Sequence, residues 1–281
     1  MGNYKTICSI SGGQSSAYIA ANYKADYRVF SLVTIEDRRC TPKDKKLVQI
    51  VSDRIGKEFI ATAEDDKILH TILDLEQFIG NKIEWLNLVS FDEVIKKKGG
   101  YLPNKMQRFC TVEMKLRAIF RYWKANINEP VKMQIGFRAN EQRRAKNMLE
   151  RANKNGLIEF KDIIGKHKSG KNKWQNIAWQ KPIFPLIESN IYRDNITTYW
   201  QDKPVRFAPL NNCVGCFHRN PLLLKKMYLA HPNKMRWFED QENNGAKWRS
   251  EITYKEINKH KPQIELNLED FSTCDSGYCG V

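Results

Sequence analysis

Cysteine is the residue type in this chain that is most suited to metal or sulfur chemistry. Seven cysteines stand among 281 residues, and four of them form two pairs, Cys213 with Cys216 in CVGC and Cys274 with Cys279 in CDSGYC. A CxxC spacing lets two thiolates bind one metal ion, so the four could enclose a structural zinc. Cys110 stands at the start of a predicted helix, where a thiolate is favoured. These five cysteines are the candidate metal ligands, and Cys110 is also a candidate catalytic thiol.

A second candidate site is the stretch SISGGQSSAYIA at residues 9–20. An apolar run precedes its glycine pair and apolar side chains at helical spacing follow it, which predicts a turn between a strand and a helix. Adjacent glycines let the backbone approach a ligand closely, and the amides of a first helical turn attract an anion. Neither GxGxxG nor GxxxxGK[ST] matches. The candidate phosphate-binding residues are Ser11, Gly12, Gly13, Gln14, Ser15 and Ser16.

Basic residues in two further segments suit the same anion. The segment IGFRANEQRRA carries Arg138, Arg143 and Arg144 after a predicted buried strand. The segment RFCTVEMK carries Arg108 and Lys115 on either side of a cysteine. Guanidinium groups grip phosphate or sulfate through forked pairs of donors. We therefore expect these side chains, Arg138 above all, to contact the charged end of a ligand.

The elements that must position these residues follow an alternating pattern. YKTICSIS, YRVFSLVTIED and EFIATAE are predicted strands. TPKDKKLVQIVSDRIG is a predicted helix, capped by Thr41 with Pro42 at its first position. KPIFPLIESNIYRDNITTYW is a predicted strand and helix, with Asn190 as the helix cap. Strands that alternate with helices predict a doubly wound, mostly parallel α/β sheet of the Rossmann-like type. The glycine turn then lies at the carboxyl end of the first strand, where such sheets bind nucleotides.

The composition of the chain changes near residue 203. Residues 1–203 carry the α/β pattern and are a predicted nucleotide-binding domain, whereas 204–281 are rich in proline, cysteine and aromatic residues and are a predicted metal-binding appendage. Lysine and arginine number 47 against 32 acidic residues, and this net charge of +15 favours polyanionic or phosphorylated partners. The lysines of IIGKHKSGKNKWQ lie in a predicted exposed loop or hairpin, with Trp174 and Trp179 available to stack on nucleic-acid bases. A solvated basic surface with structural tryptophans is the alternative.

The glycine turn resembles the PP-loop of the ATP pyrophosphatase and adenine nucleotide alpha hydrolase-like superfamily, whose usual form is SGGxDS. It is most similar to the phosphoadenosine phosphosulfate (PAPS) reductase branch. The two basic segments, the strand and helix of PIFPLIESNIYRDNITTYW and the cysteine turn of PVRFAPLNNCVGCFHR follow the family's order over roughly residues 4–220. Ser15 stands where the usual form carries an aspartate. The missing acid weakens the expectation of a Mg²⁺ site and of ATP cleavage.

The resemblance implies that the chain binds ATP or a sulfonucleotide, either PAPS or its analogue APS, together with Mg²⁺. It implies two reaction types: adenylation followed by sulfur transfer, as in relatives that thiolate tRNA or DNA, and reduction of a sulfonucleotide to sulfite. The partner would be a sulfur donor in the first and a thiol reductant in the second. We expect a PAPS reductase-like enzyme with a thiolate–metal centre that transfers sulfur to a nucleic acid, because the ECGLH ending of assimilatory reductases is missing and the basic charge exceeds what a small nucleotide needs. A sulfonucleotide reductase that releases sulfite and a non-catalytic protein that binds or senses an adenine nucleotide are the alternatives.

Three uses of the cysteines stay open. Relatives that hold an iron–sulfur cluster imply that Cys110, Cys213 and Cys216 bind one together with a terminal cysteine. The zinc site formed by the two pairs is the second use. Cluster-free PAPS reductases carry a nucleophilic thiol in a C-terminal tail, which would here be a catalytic Cys279.

The sequence also predicts the setting of the protein. It contains no run of about 18 apolar residues and no signal-peptide layout, so we expect a cytoplasmic protein without membrane contact. Cysteines stay reduced there, which favours metal or redox roles over a disulfide framework. An oligomer is compatible with this sequence.

Overall fold

The structure is a computed structural model that describes residues 4–259. Its strands are β1 (Thr6–Ile10), β2 (Tyr27–Ser31), β3 (Thr34–Ile35), β4 (Ala61–Thr62), β5 (Glu84–Leu86), β6 (Val131–Gln134), β7 (Ile158–Lys166) and β8 (Asn172–Ile183). Six of them form a central sheet in the order β5-β2-β1-β6-β8-β7. All neighbouring pairs in this sheet are parallel except β7 with β8.

Helices connect most of these strands. They are α1 (Gln14–Asn22), α2 (Lys45–Ile55), α3 (Asp66–Ile79), α4 (Phe91–Lys97), α5 (Arg117–Asn126), α6 (Gln142–Leu149), α7 (Pro185–Glu188), α8 (Arg193–Trp200), α9 (Pro221–Ala230), α10 (Pro232–Gln241) and α11 (Tyr254–Lys259). A π-helical turn, Thr111–Leu116, leads directly into α5. Within residues 4–259, no helix combines the length and the apolar content that crossing a membrane requires.

Apolar side chains cover both faces of the central sheet, as a parallel sheet requires. Cys8 and Ile10 of β1 belong to a core that includes residues of α1, α3 and α8. Ile7, which precedes Cys8 on the same strand, packs instead into a core with Phe120 and Trp123 of α5. Successive side chains of one strand thus enter opposite cores. The predicted α/β class with a mostly parallel sheet flanked by helices is confirmed.

Three local predictions were wrong. The third predicted strand is not in the central sheet, because β4 pairs antiparallel with β3 and the hydroxyl of Thr62 donates to the carbonyl oxygen of Val33 at 2.8 Å. Helix α2 is capped by Asp44 rather than Thr41, since the Asp44 carboxylate accepts from the amide of Lys46 at 2.9 Å.

The third concerns the helix α8. Its N-cap is Tyr192, and not Asn190 as the sequence predicted. Asn190 has a φ of 55°. Asparagine is among the residues that adopt this left-handed conformation most readily. The predicted cap residue therefore turns the chain before the helix begins.

Residues on both sides of position 203 share a third apolar core. Val33 and Phe91 belong to it together with Phe217, Leu224 and Trp237. The ring centroids of Phe91 and Trp237 lie 5.4 Å apart. The C-terminal helices therefore pack through buried apolar contacts against elements of the α/β part of the chain.

The basic segment at residues 163–175 includes the end of β7 and the start of β8, which pair as an antiparallel hairpin. This agrees with the predicted exposed loop or hairpin. Trp174 on the hairpin is 48% exposed. Trp179 is only 1% exposed, and its ring centroid lies 5.5 Å from that of Phe120. The prediction that Trp179 is available on the surface was wrong, because the sheet turns this residue into the core.

Candidate functional site

A cavity of about 410 Å³ opens at the carboxyl ends of β1 and β6, and we refer to it as the switch-point cavity. The two strands are neighbours, but the sheet extends from β1 to β2 and β5 on one side and from β6 to β8 on the other. Such a reversal of strand order leaves a crevice, and open α/β sheets bind ligands there. The volume lies in the range of about 300–1,000 Å³ that small-molecule sites occupy.

Gly12 and Gly13 connect β1 to α1 with a backbone that side chains would disturb. Gly12 has a φ of +78°, and a Cβ atom there would lie 2.5 Å from Cγ2 of Ile68. A Cβ atom on Gly13 would lie 2.7 Å from Nδ2 of Asn211. Gly13 is the N-cap of α1, with no side-chain hydrogen bond at the cap. Because a helix leaves its first amide donors without intrahelical partners, this turn offers N–H groups to an anion.

The serines of the turn have different roles. The hydroxyl of Ser16 donates to the carbonyl oxygen of Gly13 at 3.0 Å and accepts from the amide of Ser11 at 3.1 Å. The hydroxyls of Ser11 and Ser16 lie 3.1 Å apart. These bonds hold the turn in shape. Gln14 and Ser15 line the cavity at the start of α1.

Arg138 and Arg144 also line the switch-point cavity, and Glu141 holds both. The Glu141 carboxylate accepts from the amide of Arg138 at 2.9 Å and from its Nε at 3.0 Å, and it also accepts from Nη1 of Arg144. Arg144 stacks over the ring of Phe137, 4.1 Å from its centroid. Burial alone would raise the pKa of Glu141, but the hydrogen bonds and charge of the two arginines lower it below its usual range. The arginines are thus fixed in position before any ligand arrives.

The third predicted arginine lies elsewhere. Arg143 is exposed and is not part of the cavity lining. The sequence could not distinguish it from its neighbour Arg144, because both follow the same strand. Glu141 was not predicted as a site residue, and its spacing of three residues from each arginine is the only local signal for it.

Lys115 lines the cavity and forms an ion pair with a buried carboxylate. Its Nζ lies 3.0 Å from Oε1 of Glu64, which is 1% exposed. Burial alone would lower the pKa of Lys115, but the charge of Glu64 raises it. The carbonyl oxygen of Glu64 accepts from Nζ of Lys234. Sequence reasoning missed Glu64, because its partners lie far away along the chain.

Three cysteines approach the same region. Glu64 pairs with Cys213 in an isolated antiparallel bridge. Burial, and then the charge of Cys216, raise the pKa of the Cys110 thiol to about 11. Burial and then the charge of Glu64 raise the pKa of Cys213 well above its usual value. The thiolate expected at Cys110 is thus disfavoured, because burial outweighs its position at a helix start.

The predicted metal ligands fall into two groups. Cys110, Cys213 and Cys216 are all free thiols. Among residues 4–259, no three Cys, His, Asp or Glu side chains are arranged so that they could hold a metal ion. Cys274 and Cys279 lie outside the described residues.

A second depression of about 1030 Å³, which we call the basic groove, adjoins the switch-point cavity. Thr111, Leu116, Trp179 and Gln180 line both. Lysine and arginine side chains elsewhere in its lining are Lys105, Arg108 and Arg151. Arg108 therefore faces the basic groove and not the cavity that holds Lys115.

The structure thus brings most of the predicted phosphate-binding residues to one cavity. Gly13, the polar residues of the turn, Lys115 and Arg138 meet there. Gly12, Arg143 and the three described candidate cysteines do not line it. No protein-family model, curated protein or solved structure matches this chain. The resemblance to PP-loop proteins therefore stays a prediction from the sequence.

Proposed function

We propose that the chain is a PAPS reductase-like PP-loop enzyme that binds ATP or a sulfonucleotide in the switch-point cavity. The observation that carries the proposal is that the start of α1, Arg138 and Lys115 line the same cavity at the reversal of strand order. Backbone amides and fixed cations suit the phosphate or sulfate end of such a ligand. The remaining walls include apolar side chains such as Ile119 and Ile196, which suit a base or ribose.

The proposed chemistry is adenylation followed by sulfur transfer. An oxygen of the acceptor would attack the α-phosphorus of ATP, and the amides of the turn would stabilise the departing pyrophosphate. A sulfur nucleophile then displaces AMP from the adenylated acceptor. In a sulfonucleotide reductase, a cysteine thiolate would instead attack the sulfur of PAPS and release adenosine bisphosphate, and a dithiol would then reduce the thiosulfonate to sulfite.

Mg²⁺ is the implied cofactor that fits this chain least well. Among the described residues, Glu141 is the only carboxylate in the cavity lining. Its oxygens already accept hydrogen bonds from two arginines. Mg²⁺ prefers oxygen ligands such as carboxylates. We therefore assign no step of the reaction to a metal ion held directly by this cavity.

Thiols suit an iron–sulfur cluster or zinc by their chemistry, but the three described cysteines are not arranged as a metal site by themselves. Cys110, Cys213 and Cys216 are free and close enough for their charges to affect one another. Soft thiolates select iron–sulfur clusters or zinc. A cluster would take one of Cys274 and Cys279 as its remaining ligand and offer electron transfer. Zinc would instead be held by Cys213 and Cys216 with both terminal cysteines and offer structural support. Iron and zinc analysis of anaerobically purified protein distinguishes the two.

Non-catalytic binding of an adenine nucleotide is the second candidate function. It is favoured by Ser15 at the position of the usual acid and by the raised pKa of the Cys110 thiol. Product analysis separates the candidates. Pyrophosphate released from ATP supports the transferase, and sulfite released from PAPS with thioredoxin supports the reductase. Tight binding with neither product supports the sensor.

A further inference from the structure

The basic groove adjoins the hairpin of β7 and β8, and three basic residues stand in its described lining against one carboxylate, Glu159. Phe160 of β7 and Asn176 of β8 line the groove at the base of the hairpin. Only Gln180–Ile183 of β8 pairs with β6, so the preceding part of β8 is paired with β7 alone. Strand β7 has 9 residues, which is a length of about 30 Å. The hairpin therefore extends the sheet as a two-stranded arm that starts beside the groove.

The outer part of this arm is strongly basic. Between residues 163 and 176 the chain has lysines and no acidic residue. The lysines are Lys166, Lys168, Lys171 and Lys173. Asp162, at the edge of this stretch, is 0% exposed and paired with Arg121 and Lys124, 2.8 Å and 2.9 Å away. Its charge is therefore neutralised locally and does not offset the charge of the arm.

The arm also presents an aromatic ring to solvent. Trp174 is 48% exposed, and Nζ of Lys161 lies 5.7 Å from the centroid of its ring. Exposed indole faces bind unstacked bases well, and neighbouring lysines attract the phosphates of the same strand. A duplex keeps its bases stacked inside and would not use this ring. Charge and aromatic exposure together thus favour a single strand over a duplex or an acidic protein.

We propose that the arm and the basic groove bind a single-stranded nucleic acid and hold it against the wall shared with the switch-point cavity. The wall consists of Thr111, Leu116, Trp179 and Gln180. The proposal rests on the proposed function in one respect only: the bound strand then lies next to the bound nucleotide. Arg151 is exposed in the groove lining, and we assign it to a phosphate of the strand.

The test measures the binding of fluorescent 20-nucleotide DNA and RNA single strands to the full chain over a range of salt concentrations. Binding is expected to weaken steeply with salt. The slope of log affinity against log salt concentration is negative, and replacing the four arm lysines by glutamine should reduce its magnitude by about 3. Trp174→Ala should weaken binding by about tenfold or more, and Arg151→Gln should also weaken it. The matched control replaces four exposed lysines around α2, Lys43, Lys45, Lys46 and Lys57, by glutamine.

The control variant should bind the strand more tightly than the arm variant. Equal loss in both variants, tighter binding of duplex, or equal binding of polyglutamate would overturn the proposal. ATP binding is measured on the same samples. A chain that binds ATP but no single strand contradicts this inference alone, whereas one that binds the strand but neither ATP nor PAPS contradicts the proposed function alone. Tighter binding of one probe shows whether the strand is DNA or RNA, and either result supports the proposal.

Discussion

The Nζ atom of Lys115 lies 3.0 Å from Oε1 of Glu64 in the wall of the switch-point cavity. Lys115 faces the proposed nucleotide, and the backbone of Glu64 pairs with Cys213. The pair therefore connects the predicted phosphate site to the region of the thiols. A cation fixed by a buried carboxylate does not need to be ordered when an anion binds, which favours binding.

Glu64→Gln is expected to lower the free energy of unfolding by about 3 kcal/mol, because it leaves the partly buried ammonium group of Lys115 without its counter-charge. Chemical denaturation monitored by circular dichroism measures this change. Glu58→Gln is the matched control, since Glu58 is 69% exposed in its pair with Arg38. We expect that control to change stability by less than about 0.5 kcal/mol. Equal effects of the two substitutions would show that the Glu64 pair has no special role.

Arg138→Gln is expected to weaken nucleotide binding by about tenfold or more, because hydrogen bonds to charged groups are worth about 1.5–3 kcal/mol. Arg143→Gln is its control, as Arg143 is exposed outside the cavity lining. We expect Arg143→Gln to bind with nearly unchanged affinity. Isothermal titration with ATP and with PAPS measures both. A larger loss in Arg143→Gln would mean that the ligand contacts the outer side of α6 instead.

Gly12→Ala is expected to lower both stability and nucleotide affinity. Alanine would be strained at a φ of +78°, and its Cβ would lie 2.5 Å from Cγ2 of Ile68. Gly170→Ala is the matched control, because it imposes the backbone strain without the clash. Gly170 has a φ of +79°, and a Cβ atom there would meet nothing within 4 Å. The difference in unfolding free energy between the two variants therefore isolates the clash. Equal stability of the variants would contradict the close packing of the turn on α3.

Asp162→Asn is expected to destabilise the chain by about 1–3 kcal/mol at neutral pH. Burial would raise the pKa of Asp162, but hydrogen bonds and charges from Lys124 and Arg121 lower it below its usual value. Its stabilising contribution is therefore complete above the unfolded pKa of about 3.9 and is lost as the pH falls through the lower folded value.

Denaturation from pH 7 down to pH 3 tests this pH dependence. The stability difference between the original chain and Asp162→Asn should narrow below about pH 4, the unfolded pKa of an aspartate. Asp202→Asn is the control, since Asp202 is exposed. A difference that stays constant over the whole range would show that Asp162 acts through its shape and not through its charge.

Local patterns in the sequence predicted the elements that depend on neighbouring residues alone. The strand, glycine turn and helix at residues 6–22 follow from a change of apolar period around Gly12 and Gly13. The cap of α2 was misplaced by three residues, because Thr41 and Asp44 are both good caps and only tertiary packing selects one.

Contacts between distant parts of the chain were beyond sequence reasoning. Glu64 becomes a site residue through Lys115, which lies 51 positions later. Trp179 was expected on the surface together with Trp174, but the twist and pairing of β8 bury the first and expose the second. Lysines precede Trp174, whereas apolar residues precede Trp179, and the pairing of β8 with β6 begins at the next residue, Gln180.

Calorimetric titration of the purified chain with ATP, APS and PAPS decides whether the switch-point cavity is a nucleotide site. We expect one saturable site for at least one of these nucleotides, with binding weakened by Gly12→Ala and by Arg138→Gln. A folded chain that takes up none of the three would show that the cavity serves another ligand.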